Sequence, residues 1–257
     1  MFIKRFHFMT IRLKDFQKDC DLSRNEISEP ILERIYFKSF YSLQLLDLSE
    51  NTNITEIGYS AFKDTYLRIL NMSNVHLNIL NDLGGVLNLM TIDFSHNDIV
   101  KINKETFKNL INLKYLDLKF NLINELDESV FKNLANLAEL NLSYNKLIIL
   151  PLKLFDDLEN LRILDLSYNN LKYLDGFEKL QKLQELRLQG NLLRMIPSGE
   201  SLPSSLKILD IRSNVPYFIG RSTFSNVTEL ISLDMSFTNN SIISYVKNTY
   251  LYFDKYC

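Results

Sequence analysis

Residues Leu137–Leu147 read LAELNLSYNKL. Leu140 and Leu142 alternate with Glu139, Asn141 and Ser143, the period of two that a strand with one buried face requires. Asn145 stands where the chain must leave the strand. A buried Asn there satisfies backbone donors and acceptors of the turn. Leu147 and Leu150 then return apolar weight to the core, Pro151 suits an irregular connection, and Phe155 and Leu158 close the unit from its outer side. One such unit cannot bury its own apolar face, so it needs neighbours built the same way.

The neighbours are present. The same spacing recurs as LMTIDFSHNDI from Leu89, LKYLDLKFNLI from Leu113, LRILDLSYNNL from Leu161, LQELRLQGNLL from Leu183 and LKILDIRSNVP from Leu206. LQLLDLSEN from Leu43 is a further copy. The Asn position falls at Asn25, Asn51, Val75, Asn97, Asn121, Asn145, Asn169, Asn191, Asn214 and Thr238, at intervals of 22–26 residues. A later Phe recurs at Phe62, Phe107, Phe131, Phe155, Phe177 and Phe224. A fixed period of this length means a stacked repeat architecture rather than two globules. Residues 17–238 are expected to form one solenoid of about ten repeats. Residues 1–16 would add a capping strand or hairpin, and 239–257 a degenerate last repeat or cap.

The pattern resembles the leucine-rich-repeat family. Its period and late Phe are similar to the "typical" class of Toll-like receptor ectodomains, chaoptin-like adhesion proteins and Slit-like matrix proteins. The resemblance implies an α/β repeat fold: a right-handed, horseshoe-shaped solenoid with a parallel β-sheet on the concave face and short 3-10 or irregular turns on the convex face. It also implies a binding function, extracellular or at the cell surface, with a protein ligand on the concave face.

The chain departs from that pattern in places. No cysteine-rich cap is visible, and Cys20 occupies a strand core position, which reads as a buried thiol. Nine repeats separate it from Cys257, at ~4.8 Å per strand too far for a disulfide. Val75 replaces the Asn, its repeat lacks the late Phe, and Thr52-Asn53 add residues to the turn before it, so irregularity is expected between 51 and 88. The start is broken by Lys4, Arg5 and His7 and does not read as an export signal. No apolar run is long enough for a membrane helix. The chain reads as a fragment or an uncapped chain. If the missing signal and caps are real, a cytoplasmic scaffold or regulatory subunit is the alternative. A third reading makes the repeats the sensor of an enzyme, such as a receptor kinase, whose catalytic domain lies outside this chain.

Chemistry within the repeats has little support. His7, His76 and His96 lie in separate segments, and no phosphate loop or metal-ligand spacing appears, so no cofactor, metal or catalytic residue is expected. With net charge −2 and pI about 6.0, nucleic acid is not expected as a partner. Homodimerisation is left open. Of five glycosylation sequons, Asn71 and Asn141 belong to the strand motif, and the loop residues Asn53 and Asn226 are the better acceptors.

The strand columns carry the ligand expectation. Between the two strand leucines stand Asp21, Asp47, Asn71, Asp93, Asp117, Asn141, Asp165, Arg187, Asp210 and Asp234. A row of carboxylates one strand apart repels itself unless Ser, Asn, Arg or a cationic partner relieves it. The column before the Asn is aromatic at its centre: Phe120, Tyr144 and Tyr168. Aromatics beside acids and flanking cations make a hot-spot layout, and an exposed Phe120 would gain nothing structurally. The expected ligand strip is Tyr115, Asp117, Lys119, Phe120, Glu139, Tyr144, Asp165, Tyr168, Arg187 and Arg212.

Overall fold

The computed structural model describes residues 18–37, 40–63, 65–83, 85–196, 201–215 and 223–236. The caps expected at 1–16 and 239–257, and the repeat position Thr238, lie outside them. The strands in chain order are β1 (Asp19–Asp21), β2 (Ile31–Leu32), β3 (Leu45–Asp47), β4 (Glu56–Ile57), β5 (Ile69–Asn71), β6 (Ile79–Leu80), β7 (Thr91–Asp93), β8 (Lys101–Ile102), β9 (Tyr115–Asp117), β10 (Glu139–Asn141), β11 (Ile163–Asp165), β12 (Glu185–Arg187), β13 (Ile208–Asp210) and β14 (Ser232–Asp234). The only helix among the described residues is α1 (Arg34–Phe37).

The three-residue strands form one ten-stranded sheet in sequence order, β1-β3-β5-β7-β9-β10-β11-β12-β13-β14. All neighbours are parallel, and the register joins equivalent repeat positions: Leu116 faces Leu140, which faces Leu164, which faces Leu186. That register follows from burial. The central residue of each strand turns into the core, and Leu46, Leu70, Ile92, Leu116, Leu140, Leu164, Leu186 and Leu209 are all buried. The two-residue strands make separate parallel ribbons, β2-β4 and β6-β8, on the chain's return away from the sheet. The fold is thus the leucine-rich-repeat solenoid that the period implies.

The late Phe column is fully inside. Phe62, Phe107, Phe131, Phe155, Phe177 and Phe224 are buried, and Phe107–Phe131 and Phe155–Phe177 stack with ring centroids 6.2 and 5.8 Å apart. Phe37 extends the column at its start, 4.9 Å from Phe62. The outer connections close by bonds of the 3-10 type, as where the Leu134 N–H donates to the Phe131 carbonyl and Leu158 to Phe155. Cys20 is a buried free thiol, its pKa pushed up to about 12 by burial and by the Asp21 carboxylate.

Each ladder Asn works across two repeats. The Asn145 amide donates to the Leu118 carbonyl of the preceding repeat and to Leu142 of its own, at 2.9 and 3.0 Å, while its Oδ1 accepts the Ile123 N–H at 3.0 Å. Asn97, Asn121, Asn169, Asn191 and Asn214 repeat this arrangement. Val75 cannot accept anything, and the turn it should serve is built differently. There Ile54, the next core residue, comes one position later than in the other repeats, and its N–H donates to the Asn51 carbonyl at 3.1 Å instead.

Candidate functional site

The sheet presents three columns to solvent. The first is the opening residue of each strand. Tyr115 stands here between Thr91 and Glu139 in register, and the residue is 43% exposed.

The second is the Asp column, and its main duty is local. Oδ1 of Asp21, Asp47, Asp93, Asp117, Asp165, Asp210 and Asp234 accepts the N–H two residues on, at 2.8–3.1 Å. Asn71 and Asn141 make the same bond. This Asx turn bends the chain out of the strand. The expected self-repulsion is relieved from within. Asn71 donates to Asp47, Lys119 pairs with Asp117 at 3.3 Å, and Arg187 lies 3.5 Å from Asp165 and 2.7 Å from Glu185. Arg212 reaches Asp210, Asp234 and the Gln189 side chain. Lys119, Arg187 and Arg212 are therefore built into the row rather than held free beside it. Two carboxyls stay above their usual range: Asp117, by burial and then by Asp93, and Asp210, by burial and then by Asp234 and Asp165.

The third column is the residue before each Asn, and all its described members are left-handed. Arg24, Glu50, Asn74, His96, Phe120, Tyr144, Tyr168 and Ser213 have φ of 52–58°, and Gly190 has 67°. Left-handed backbone costs an ordinary residue ~1–2 kcal/mol. The repeat requires it, because this residue's N–H must reach the next repeat while the chain turns the following Asn inward. Phe120 donates to the Ser143 carbonyl, Tyr144 to Ser167 and Tyr168 to Gln189.

That shared conformation aligns the rings. His96 stacks on Phe120 at 4.4 Å, Phe120 on Tyr144 at 4.1 Å, and Tyr144 on Tyr168 at 4.3 Å, all within 19° of parallel. The last ring lies over Gly190, where a Cβ would come 2.6 Å from the Tyr168 ring. Phe120, Tyr144 and Tyr168 remain 40–41% exposed, through their edges rather than their covered faces. The expectation that Phe120 gains nothing structurally is thus overturned: its ring is clamped between two others. His96 and Gly190, which stand in the same column, extend the ladder at its two ends, although the expected ligand strip left both out.

The expected strip divides into two bands. The rings of Phe120, Tyr144 and Tyr168 form one, Tyr115 and Glu139 open the strands on the other side, and the row of Asp117 and Asp165 with its cations runs between. Asn53 and Asn226 are both exposed, and the Asn53 amide nitrogen also donates to the Ile27 carbonyl at 3.1 Å.

A family described as "Leucine rich repeat" matches residues 88–147 and 149–193, and one described as "BspA type Leucine rich repeat region" matches 7–83. The chain belongs to the leucine-rich-repeat family. Among solved structures, it is similar to a chain of the crystal structure of a TLR13–ssRNA13 complex, with 30% identity, a TM-score of 0.72 and 77% of this sequence covered. The glycosylated Drosophila Toll–Spatzle complex contains a chain of the same fold, with 18% identity, a TM-score of 0.57 and 86% covered. This leucine-rich-repeat chain spans 29% and 38% of those two chains. No curated protein matches the sequence.

Proposed function

We propose that this chain is a recognition segment of a cell-surface or extracellular leucine-rich-repeat receptor, and that it binds a protein ligand rather than catalysing a reaction. The observation that carries the reading is the ring ladder from His96 to Tyr168. Four adjacent repeats place aromatic rings on strained backbone, stacked and open along their edges, beside a satisfied row of acids and arginines. Rigid, preorganised aromatics bordered by charge are what binding hot spots are made of. Likeness to ectodomains of Toll type supports the compartment. The net charge of −2 argues for protein over nucleic acid, but one similar structure is a complex with RNA, so charge alone does not decide the partner.

The test is direct. The chain, secreted from a eukaryotic host behind an added leader, is applied to an array of extracellular proteins and to single-stranded RNA oligonucleotides. A protein ligand whose binding falls at least about tenfold in Tyr144→Ala and Tyr168→Ala supports the reading. Binding to RNA alone, or protein binding that ignores both variants, overturns it. Secreted product carrying a glycan at Asn226 supports the compartment, and retained, misfolded chain favours the intracellular scaffold.

A further inference from the structure

The flank along which the chain enters each strand is as regular as the sheet. The residue before each strand donates its N–H to its counterpart in the preceding repeat: Gln44 to the Lys18 carbonyl, Arg68 to Gln44, Met90 to Arg68 and Lys114 to Met90. These bonds set Lys18, Arg68 and Lys114 in one column, two repeats apart. All three are exposed, and none forms an ion pair among the described residues. The neighbouring columns are apolar here. Tyr41, Tyr66, Leu87 and Ile111 stand two or three residues before the cation column and are 53–66% exposed, and Ile69 and Tyr115 border it where their strands open. Acids are missing from the same stretch. Residues 41–45, 65–69, 87–91 and 111–115 hold no Asp or Glu, whereas the corresponding stretches 135–139, 159–163, 181–185 and 228–232 carry Glu139, Glu159, Glu185 and Glu229. Asp19 opens β1 beside Lys18 without pairing with it. An open hollow of about 330 Å³ lies between Lys18, Tyr41, Tyr66 and Arg68, and Gln44 and Asn88 also line it.

We infer that this entry flank holds an acidic, extended peptide segment of a protein partner, laid across the repeats from Lys18 to Lys114. Neighbouring strands lie ~4.8 Å apart, so successive cations of the column stand ~10 Å apart. An extended chain advances ~3.3 Å per residue, so acidic side chains at every third position keep the same step. Residues between them meet Tyr66, Leu87 and Ile111. Exposed apolar side chains beside unpaired cations call for a ligand that carries both anions and apolar groups. A sulfated polysaccharide answers the cations and leaves the apolar columns bare. Neither end of this chain supplies the segment. Residues 1–17 carry Lys4, Arg5, Arg12 and Lys14 against Asp15, and residues 239–257 carry Lys247 and Lys255 against Asp254. The flank lies where the strands begin and the ring ladder where they end, so the inference stands apart from the ligand reading.

Fluorescence anisotropy tests it, with circular dichroism confirming that each variant folds. The probe is a labelled peptide of about seven residues, long enough to reach from Lys18 to Lys114, with Glu at every third position and Leu or Tyr between. Its Gln counterpart, heparin and phosphatidylserine vesicles are run beside it. The chain should bind the Glu peptide at least about tenfold more tightly than the Gln peptide, and less tightly in high salt. Arg68→Glu and Lys114→Glu should each weaken binding at least about tenfold, and Leu87→Ser should weaken it too. Lys146→Glu, an exposed cation past the Asn column, and Tyr144→Ala should leave it unchanged. Four results overturn the inference: no binding of the Glu peptide at the highest attainable concentration; equal binding of the Gln peptide; affinity indifferent to Arg68→Glu; or binding of heparin or vesicles through these cations without binding of the peptide.

Discussion

The turn after Asn121 and the turn after Asn51 solve one problem in two ways. After Asn121, the next repeat supplies Asn145, whose Oδ1 takes the Ile123 N–H and whose amide caps carbonyls of both repeats. After Asn51, the next repeat supplies Val75, and a turn one residue longer closes on its own carbonyl. In both, the N–H of the next core residue is satisfied and the sheet register continues unbroken. The difference teaches that the ladder Asn is not needed for the fold as such. It is needed wherever the preceding turn is short enough to depend on its neighbour.

Two reciprocal exchanges would break this comparison. Asn145→Val removes an acceptor and three donor contacts from buried backbone groups and should cost about 3 kcal/mol or more, read from urea unfolding. Val75→Asn, which restores the repeat consensus, should also destabilise, by about 1–3 kcal/mol, because it buries an amide whose Oδ1 meets an Ile54 N–H already donated to the Asn51 carbonyl. A stabilised Val75→Asn variant would mean that the longer turn tolerates the missing Asn without having replaced it.

The same two regions differ in the column before the Asn. Glu50 and Asn74 stand there in the irregular part, stacked rings in the regular part. Phe120→Ala loses two stacks while keeping the left-handed strain, and should cost about 1–2 kcal/mol. Phe120→Gly should cost less, since glycine accepts φ of 53° without strain. If the alanine variant unfolds at the wild-type temperature, the stack contributes nothing to stability and serves the ligand alone.

The fold was legible because the leucine-rich repeat writes its register into sequence spacing. Leu140 pairs with Leu164 because 24 residues separate them, and the Asn and Phe columns follow the same count. The site was legible only by column. The count put Phe120, Tyr144 and Tyr168 on one line. It could not show that the line is left-handed, because that conformation arises from a bond to the next repeat, nor that His96 and Gly190 terminate the stack. The local partners of the cations were hidden for a related reason. Arg187 and Arg212 look free along the sequence but are absorbed by Asp165, Glu185, Asp210 and Asp234 from adjacent strands.

The smallest effect separates the framework role of the Asp column from its charge. Asp117 accepts the Lys119 N–H, a bond that Asn71 and Asn141 make equally well in their own repeats, and its carboxyl is held above the usual range, first by burial. A carboxyl raised on folding makes the native state hold its proton longer than the unfolded chain does. Stability therefore falls as pH rises from the unfolded pKa through the folded one, and the whole penalty is present at neutral pH. Asp117→Asn keeps the turn and discards the penalty. It loses only the half-exposed contact with Lys119. Thermal unfolding of the variant should occur at or slightly above the wild-type temperature at pH 7, with a flatter dependence below pH 6. A clear loss of stability at pH 7 would mean that the Lys119 pair outweighs burial, and that the charges of this column, rather than its hydrogen bonds, hold the sheet's open face together.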